Sequence, residues 1–195
     1  MLCKWEKCNN ECHKVVFLEE AAKRFPPSWP KDLAITLKDG TPATINCKIY
    51  PLSKPELAAT REVLDKNVAL GYIEEEESPW LTPWFFMGKK DRGLRPLQDY
   101  CVVNSWTIRD VYPIPQIEQI LENLDGKVLF TALDIRWGYH NIRIKPEDQW
   151  KAAFKMPFGL YIPKVMFFGL TNSPATFQQM MDQLFTPLKL KYCYA

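Results

Sequence analysis

Apolar positions along this chain recur at two spacings, and the places where the spacing changes mark its elements. Leu57, Arg61, Leu64 and Val68 repeat at near-helical intervals until Gly71, and Ser53 with Glu56 three residues on is a capping-box signature. A helix over about 54–70 is predicted. Leu81 to Met87 is aromatic and strand-like, Asp91-Arg92-Gly93 supplies a reversal, and Leu94 to Tyr100 returns as the second arm of a hairpin. After Pro113 and Pro115, the residues Ile117, Ile120, Leu121 and Leu124 follow i, i+3, i+4, i+7. They predict a short helix over about 114–124 that packs through this stripe.

Period two takes over next. Val128, Phe130, Ala132 and Asp134 fall on one face of a predicted strand that buries its first three members and offers Asp134 at its carboxyl end. Active sites built on sheets usually lie at that end of a strand. A short helix over Pro146 to Lys151 and strands near Ala152 to Met156 and Tyr161 to Phe168 follow. Phe177, Met180, Met181 and Leu184 then form the apolar stripe of a last helix, with Ser173 as N-cap and Pro174 in its first position.

The flanks are less regular. From Phe25 to about Leu52 the chain is proline-rich with short alternating runs and an Asp39-Gly40 turn signal, which reads as an extended arm. Cys3, Cys8, Cys12 and His13 sit at a C-x4-C-x3-C-H spacing that matches no standard zinc pattern, so residues 1–24 read as a tether. Glu74 to Glu77 read as a solvated surface, because adjacent side chains on extended backbone point to alternate faces.

Composition narrows the class only slightly. A hydrophobic share of 47% and a charged share of 25% exclude a disordered chain. A net charge of +2 neither supports nor excludes a nucleic-acid partner, since basic residues can gather in one groove while the total stays near neutral. No apolar run approaches a membrane span and the amino end lacks a signal-peptide core, so an intracellular protein with free thiols is expected.

Candidate chemistry gathers in three blocks. The hairpin tip carries Lys89, Lys90, Arg92 and Arg95, a group that suits an anion but equally suits a lysine-rich edge that deters strand pairing. Asp134 is followed five residues on by Tyr139; by spacing alone the first is also a turn carboxylate and the second a core ring. Phe168 to Pro174 is a loop leading into a helix, where Gly169 permits close approach.

Taken together, FFMGKKDRGLRPLQDY, LFTALDIRWGYHNIRI and VMFFGLTNSPATFQQMMD closely resemble the reverse transcriptase of gypsy-type LTR retrotransposons, particularly those of fungi, over about Phe25 to Phe185. The resemblance implies an α+β right-hand polymerase fold. Residues 53–112 would be mainly fingers and 113–195 mainly palm, with an interleaved fingers segment. It implies an RNA-directed DNA polymerase that uses two Mg²⁺, with Asp134 and the backbone carbonyl of Ile135 as metal ligands. Nucleotide contacts would come from Lys89, Lys90, Arg95, Tyr139, Phe168 and Gly169, with the Tyr139 ring crowding a 2′ hydroxyl. Template and primer contacts would come from Asp99, Asn104, Ser173 and Pro174. Implied partners are a primed RNA or DNA template, deoxynucleotide triphosphates and the thumb, RNase H and integrase parts of a Pol polyprotein, in a cytoplasmic particle or the nucleus.

Departures from the family pattern carry expectations of their own. Cys101 stands where arginine is common, and no Asp-Asp pair occurs in the chain, whereas the family carries a Tyr-x-Asp-Asp turn beyond the last helix. An incomplete site, inactive in isolation, is therefore expected. The alternatives are a non-catalytic nucleic-acid-binding remnant and a folded relic.

Overall fold

A computed structural model describes residues 23–88, 93–129 and 132–186. The elements are β1 (Ile45–Asn46), α1 (Lys54–Ala69), β2 (Ile73–Glu75), β3 (Trp80–Gly88), β4 (Leu94–Gln98), α2 (Cys101–Trp106), α3 (Ile117–Leu124), β5 (Phe154–Met156), β6 (Gly159–Pro163) and α4 (Ser173–Phe185). Short 3₁₀ helices at Gly138–Asn141 and Pro146–Ala152 complete the set.

Local signals place α1 well. Ser53 and Glu56 form the predicted capping box, in which the Glu56 carboxylate accepts from the Ser53 N–H at 2.7 Å. These bonds hold the Glu56 carboxyl below the usual range. The predicted hairpin is also present: β3 and β4 pair antiparallel from Trp84↔Gln98 to Gly88↔Leu94. Its tip, with Lys89, Lys90 and Arg92, lies outside the described residues, as does the Cys3, Cys8, Cys12 and His13 cluster.

Strands order as β1-β3-β5-β6-β2, with β4 on β3. Strand β3 pairs in parallel with β1 and β5 through its first residues and with β4 through its last, so it joins the hairpin to the rest of the sheet. The core lies on β3, β5 and β6. Phe154 is fully buried, stacked on Trp84 at 5.7 Å between centroids and flanked by Tyr161 and Phe167. Each such aromatic contributes roughly 1.5–3 kcal/mol of burial.

The arm is extended, as predicted, and is pinned at Leu33 to Ile35. Leu33 N–H donates to Arg143 O and Leu33 O accepts from Lys145 N–H, both at 2.9 Å. Ile35 is clamped on both sides: its N–H donates to Asp148 Oδ2 at 2.9 Å and its carbonyl accepts from Lys151 Nζ at 2.8 Å. Asp148 and Lys151 also pair with each other.

Three expectations need correction. The strand ending at Asp134 is not found among the described residues: residues 128, 129 and 132–135 have no regular structure, and Val128, Leu129 and Leu133 are 97%, 87% and 75% exposed. Its apolar alternation had no ladder to join, because among the described residues no strand lies beside it. Helix α3 forms but does not pack through its stripe, since Ile117 and Leu121 stay 70% and 61% exposed. Its exposed face lies in the same part of the chain as the unpaired stretch. Finally, Asn172 and not Ser173 is the residue before α4. Asn172 is held there by tertiary bonds, donating from Nδ2 to Ile108 O at 2.9 Å and accepting at Oδ1 from Asp110 N–H at 3.0 Å.

Candidate nucleotide and template site

Three blocks far apart in sequence meet around the loop before α4. Asn104, on α2, donates from Nδ2 to Gly169 O at 2.7 Å and accepts at Oδ1 from Thr171 N–H at 2.9 Å. Gly169 has φ +100°, and a Cβ there would sit 3.4 Å from both Gln98 O and Tyr100 Cδ2. Glycine is thus required twice, by its backbone angle and by the approach of the segment 98–100. Tyr139 enters from the third block, with its ring 5.0 Å from that of Phe168 and 5.5 Å from that of Phe177. Phe168 itself is 57% exposed, which leaves an aromatic surface open beside Tyr139.

The turn joining Asp134 to Tyr139 is unusual. Trp137 takes a left-handed conformation, φ 50° and ψ 42°, which costs of order 1–3 kcal/mol for a bulky residue. Two contacts hold it. Lys66, in the last turn of α1, lies 4.8 Å over the Trp137 ring, and Asn141 Nδ2 faces the carbonyls of Arg136, Trp137 and Gly138 at 3.3, 3.1 and 3.5 Å. On the other side Gly138 fits against α4 so closely that a Cβ would lie 3.1 Å from the Phe177 ring. Sequence spacing shows neither Lys66 nor Asn141, because both act across a distance set by the tertiary fold or by an irregular turn.

Beside Tyr139, His140 is enclosed by the rings of Tyr72 and Phe167, at 5.3 and 4.7 Å. Burial, and next the charge of Lys66, lower its pKa to about 4. The folded chain therefore holds His140 neutral while the unfolded chain, titrating near 6.5, takes up a proton first. Stability from this group is present above pH 6.5 and is lost as pH falls toward 4. Between pH 7 and pH 5 the loss should be about 2 kcal/mol. Urea midpoints at the two pH values check it, and a His140→Phe variant that keeps the full difference would exclude His140 as its source.

The remaining candidate residues are placed as follows. Asp134 and Ile135 are exposed. Arg95 is exposed on β4 opposite Met87, next to the hairpin tip. Asp99 starts α2: its Oδ1 accepts from the Cys101 N–H at 3.0 Å and its Oδ2 from the Tyr50 hydroxyl at 3.1 Å. Hydrogen bonds from the Cys101 thiol, the Cys101 N–H and Tyr50 hold the Asp99 carboxyl below its usual range, and the same thiol contact pushes Cys101 up. Ser173 is fully buried with no partner for its hydroxyl, whereas Pro174 is exposed. Among the described residues no three His, Cys, Asp or Glu side chains come together as a metal site. Asp134 alone cannot supply the six or more oxygen ligands around two hard cations, so the described residues do not by themselves fit a two-ion centre.

Comparison with known proteins gives the family and the fold. Residues 87–195 match the family described as Reverse transcriptase (RNA-dependent DNA polymerase). Transposon Tf2-3 and Tf2-4 polyproteins of Schizosaccharomyces pombe are each 33% identical over 147 residues, covering 74% of this chain and 11% of theirs. The chain thus spans about a tenth of the length of these relatives. Among solved structures, a prototype foamy virus protease-reverse transcriptase, a CSH mutant, superposes with a TM-score of 0.72 at 22% identity, over 91% of this chain and 24% of that one. A foamy viral protease-reverse transcriptase in complex with an RNA/DNA hybrid gives 0.68 at 20% identity, over 96% and 26%. These structures share the fold, the right-hand polymerase fold expected for fingers and palm.

Proposed function

Because the chain belongs to the reverse transcriptase family, whose members generally depend on divalent metal, we propose that it is the fingers and palm part of an RNA-directed DNA polymerase from a gypsy-type, fungal-like retrotransposon polyprotein. The observation that carries this reading is the meeting of Asn104, Tyr139 and Phe168–Thr171 on one loop. Distant blocks converge there on an open aromatic surface. In this reading residues 1–24 connect to an upstream part and 25–52 are a lead-in arm. Residues 53–112 are mainly fingers, and 113–195 mainly palm with an interleaved fingers segment.

Roles follow from placement. Asp134, solvent-facing at the start of the turn, would be one of the carboxylates that hold Mg²⁺, with the Ile135 carbonyl beside it, and the described residues do not supply the other ligands. In nucleotidyl transfer such metal would supply charge stabilisation for the attacking and leaving oxygens. Tyr139, Phe168 and Gly169 form the nucleotide pocket. Lys89, Lys90 and Arg95 address its triphosphate, an arginine fork and lysine point charges suiting phosphate oxygens. Asn104 and Asp99 fix the segment that faces the template: Asn104 by tying it to the Gly169–Thr171 loop and Asp99 by starting α2. Pro174 lies on the surface, and Ser173, being buried, shapes the turn beneath it. Partners on this reading are primed RNA or DNA, deoxynucleotide triphosphates and the thumb, RNase H and integrase parts. The site of action is a cytoplasmic particle or the nucleus. Among the described residues no helix is long and apolar enough to cross a membrane.

The direct test is binding. Affinity for a primed RNA template should be salt-dependent and should weaken when Lys89, Lys90 and Arg95 are changed together to alanine. The salt slope should fall by about 1 for each phosphate contact removed. Fluorescence anisotropy across a salt series reads both, and unchanged binding in the triple variant would remove these residues from the ligand surface.

A further inference from the structure

A cavity of about 450 Å³ opens on the far side of the 168–174 loop, between Pro30–Thr36 of the arm, Ile108–Asp110, Lys145 and the first turns of α4. Three cations line it, Lys31, Arg109 and Lys145, and none has an ion-pair partner among the described residues. Its two carboxylates differ. Asp110 is spent on its own surroundings, accepting from Tyr112 N–H and from Gln179 Nε2, both at 3.0 Å. Asp32 uses Oδ2 in the same way, taking Ser28 Oγ at 3.0 Å and Trp29 N–H at 3.2 Å. Its Oδ1 is buried with no hydrogen-bond partner, in a side chain only 8% exposed.

A buried carboxylate oxygen without a donor is costly until something supplies one. The cleft therefore asks for a ligand with negative charge for the three cations and an N–H donor for Asp32. Its volume is that of a small-molecule pocket, room enough for a single nucleotide. One nucleotide of a single strand meets these conditions, through a phosphate and the exocyclic amino group that adenine, cytosine and guanine carry and thymine and uracil lack. Position favours the same ligand, because Asn172 lines this cleft and also the narrow gap it shares with Asn104, Leu170 and Thr171.

We propose that this cleft is a second nucleic-acid contact, holding one nucleotide of single-stranded template beyond the duplex. The phosphate lies against Lys31, Arg109 and Lys145, and the base amino group against Asp32 Oδ1. The inference rests on the nucleic-acid reading above and adds a site to it.

The test uses the chain as it stands, with fluorescence anisotropy on two primed templates, one blunt and one with a single-stranded overhang of cytidines. The Lys31→Gln, Arg109→Gln, Lys145→Gln triple variant should bind the overhang substrate roughly tenfold more weakly, with a salt slope lower by about 1. Its affinity for the blunt duplex and its thermal midpoint should not move. A thymidine overhang should bind the unaltered chain more weakly than the cytidine one, again by roughly tenfold. Equal losses on blunt and overhang substrates would reduce the three cations to general electrostatics and overturn the proposal. So would displacement of the overhang substrate by polyglutamate at equal charge, which would reassign the cleft to an acidic peptide. Unchanged binding in the triple variant, while the Lys89, Lys90 and Arg95 variant still loses affinity, would end this inference and leave the functional reading standing. Failure of the unaltered chain to bind either substrate would end both.

Discussion

Changing Tyr139 to alanine should raise ribonucleotide use relative to deoxynucleotide use by about tenfold or more, measured in a polyprotein segment long enough to polymerise. The ring lies against Phe168 and Phe177 and is half-buried, so one part of it is fixed by packing while the rest stays open to solvent. On the proposed function, selection by such a ring would be steric: removing it would make room for a 2′ hydroxyl and leave Asp134, five residues earlier, untouched. Tyr139→Phe should change the ratio little, because on that reading the ring and not the hydroxyl would do the excluding. A ring that served packing alone would behave otherwise. Its loss would cost up to the roughly 3–5 kcal/mol of a large core aromatic, and both nucleotides would suffer together. Thermal stability measured beside the two incorporation efficiencies separates the cases. An unchanged ratio in a folded Tyr139→Ala enzyme would end the assignment.

Asp148→Ala should destabilise the isolated chain by about 3 kcal/mol, a large share of what a domain of this size holds. Asp148 is 7% exposed, and its carboxylate accepts from the Ile35 N–H while pairing with Lys151. Alanine leaves an N–H without its acceptor and an ammonium without its counter-charge, and the second penalty is tempered because the Lys151 side chain keeps 15% of its exposure. Asp148→Asn keeps an acceptor for Ile35 and should cost less, about 1–2 kcal/mol. Urea unfolding reads both. A cost below about 1 kcal/mol for alanine would show that the arm is held by Leu33 and its neighbours and not by this clamp.

How far the chain could be read in advance depended on whether the signal was local. The capping box of α1, the two arms of the β3–β4 hairpin and the apolar stripe of α4 are local signals, and each of these elements stands where its pattern placed it. Ser173 shows the limit even there. It has the side chain of an N-cap, yet the fold gives that place to Asn172, whose amide is claimed by Ile108 and Asp110 from another part of the chain.

The alternation from Val128 to Asp134 is as clear as any in the sequence, and its described residues form no strand. A helix closes its own hydrogen bonds, whereas a strand borrows them from a neighbour, and periodicity cannot announce whether that neighbour is present. The same difference governs the site. Sequence alone supplied its residues, Asn104, Asp134, Tyr139, Phe168 and Gly169, in three separate blocks. Only the tertiary structure decided that Asn104 would bind the Gly169–Thr171 loop and that Tyr139 would lean on Phe168. It alone decided that Lys66 and Asn141 would hold the turn between Asp134 and Tyr139, because contacts between distant segments arise from packing and leave no period along the chain.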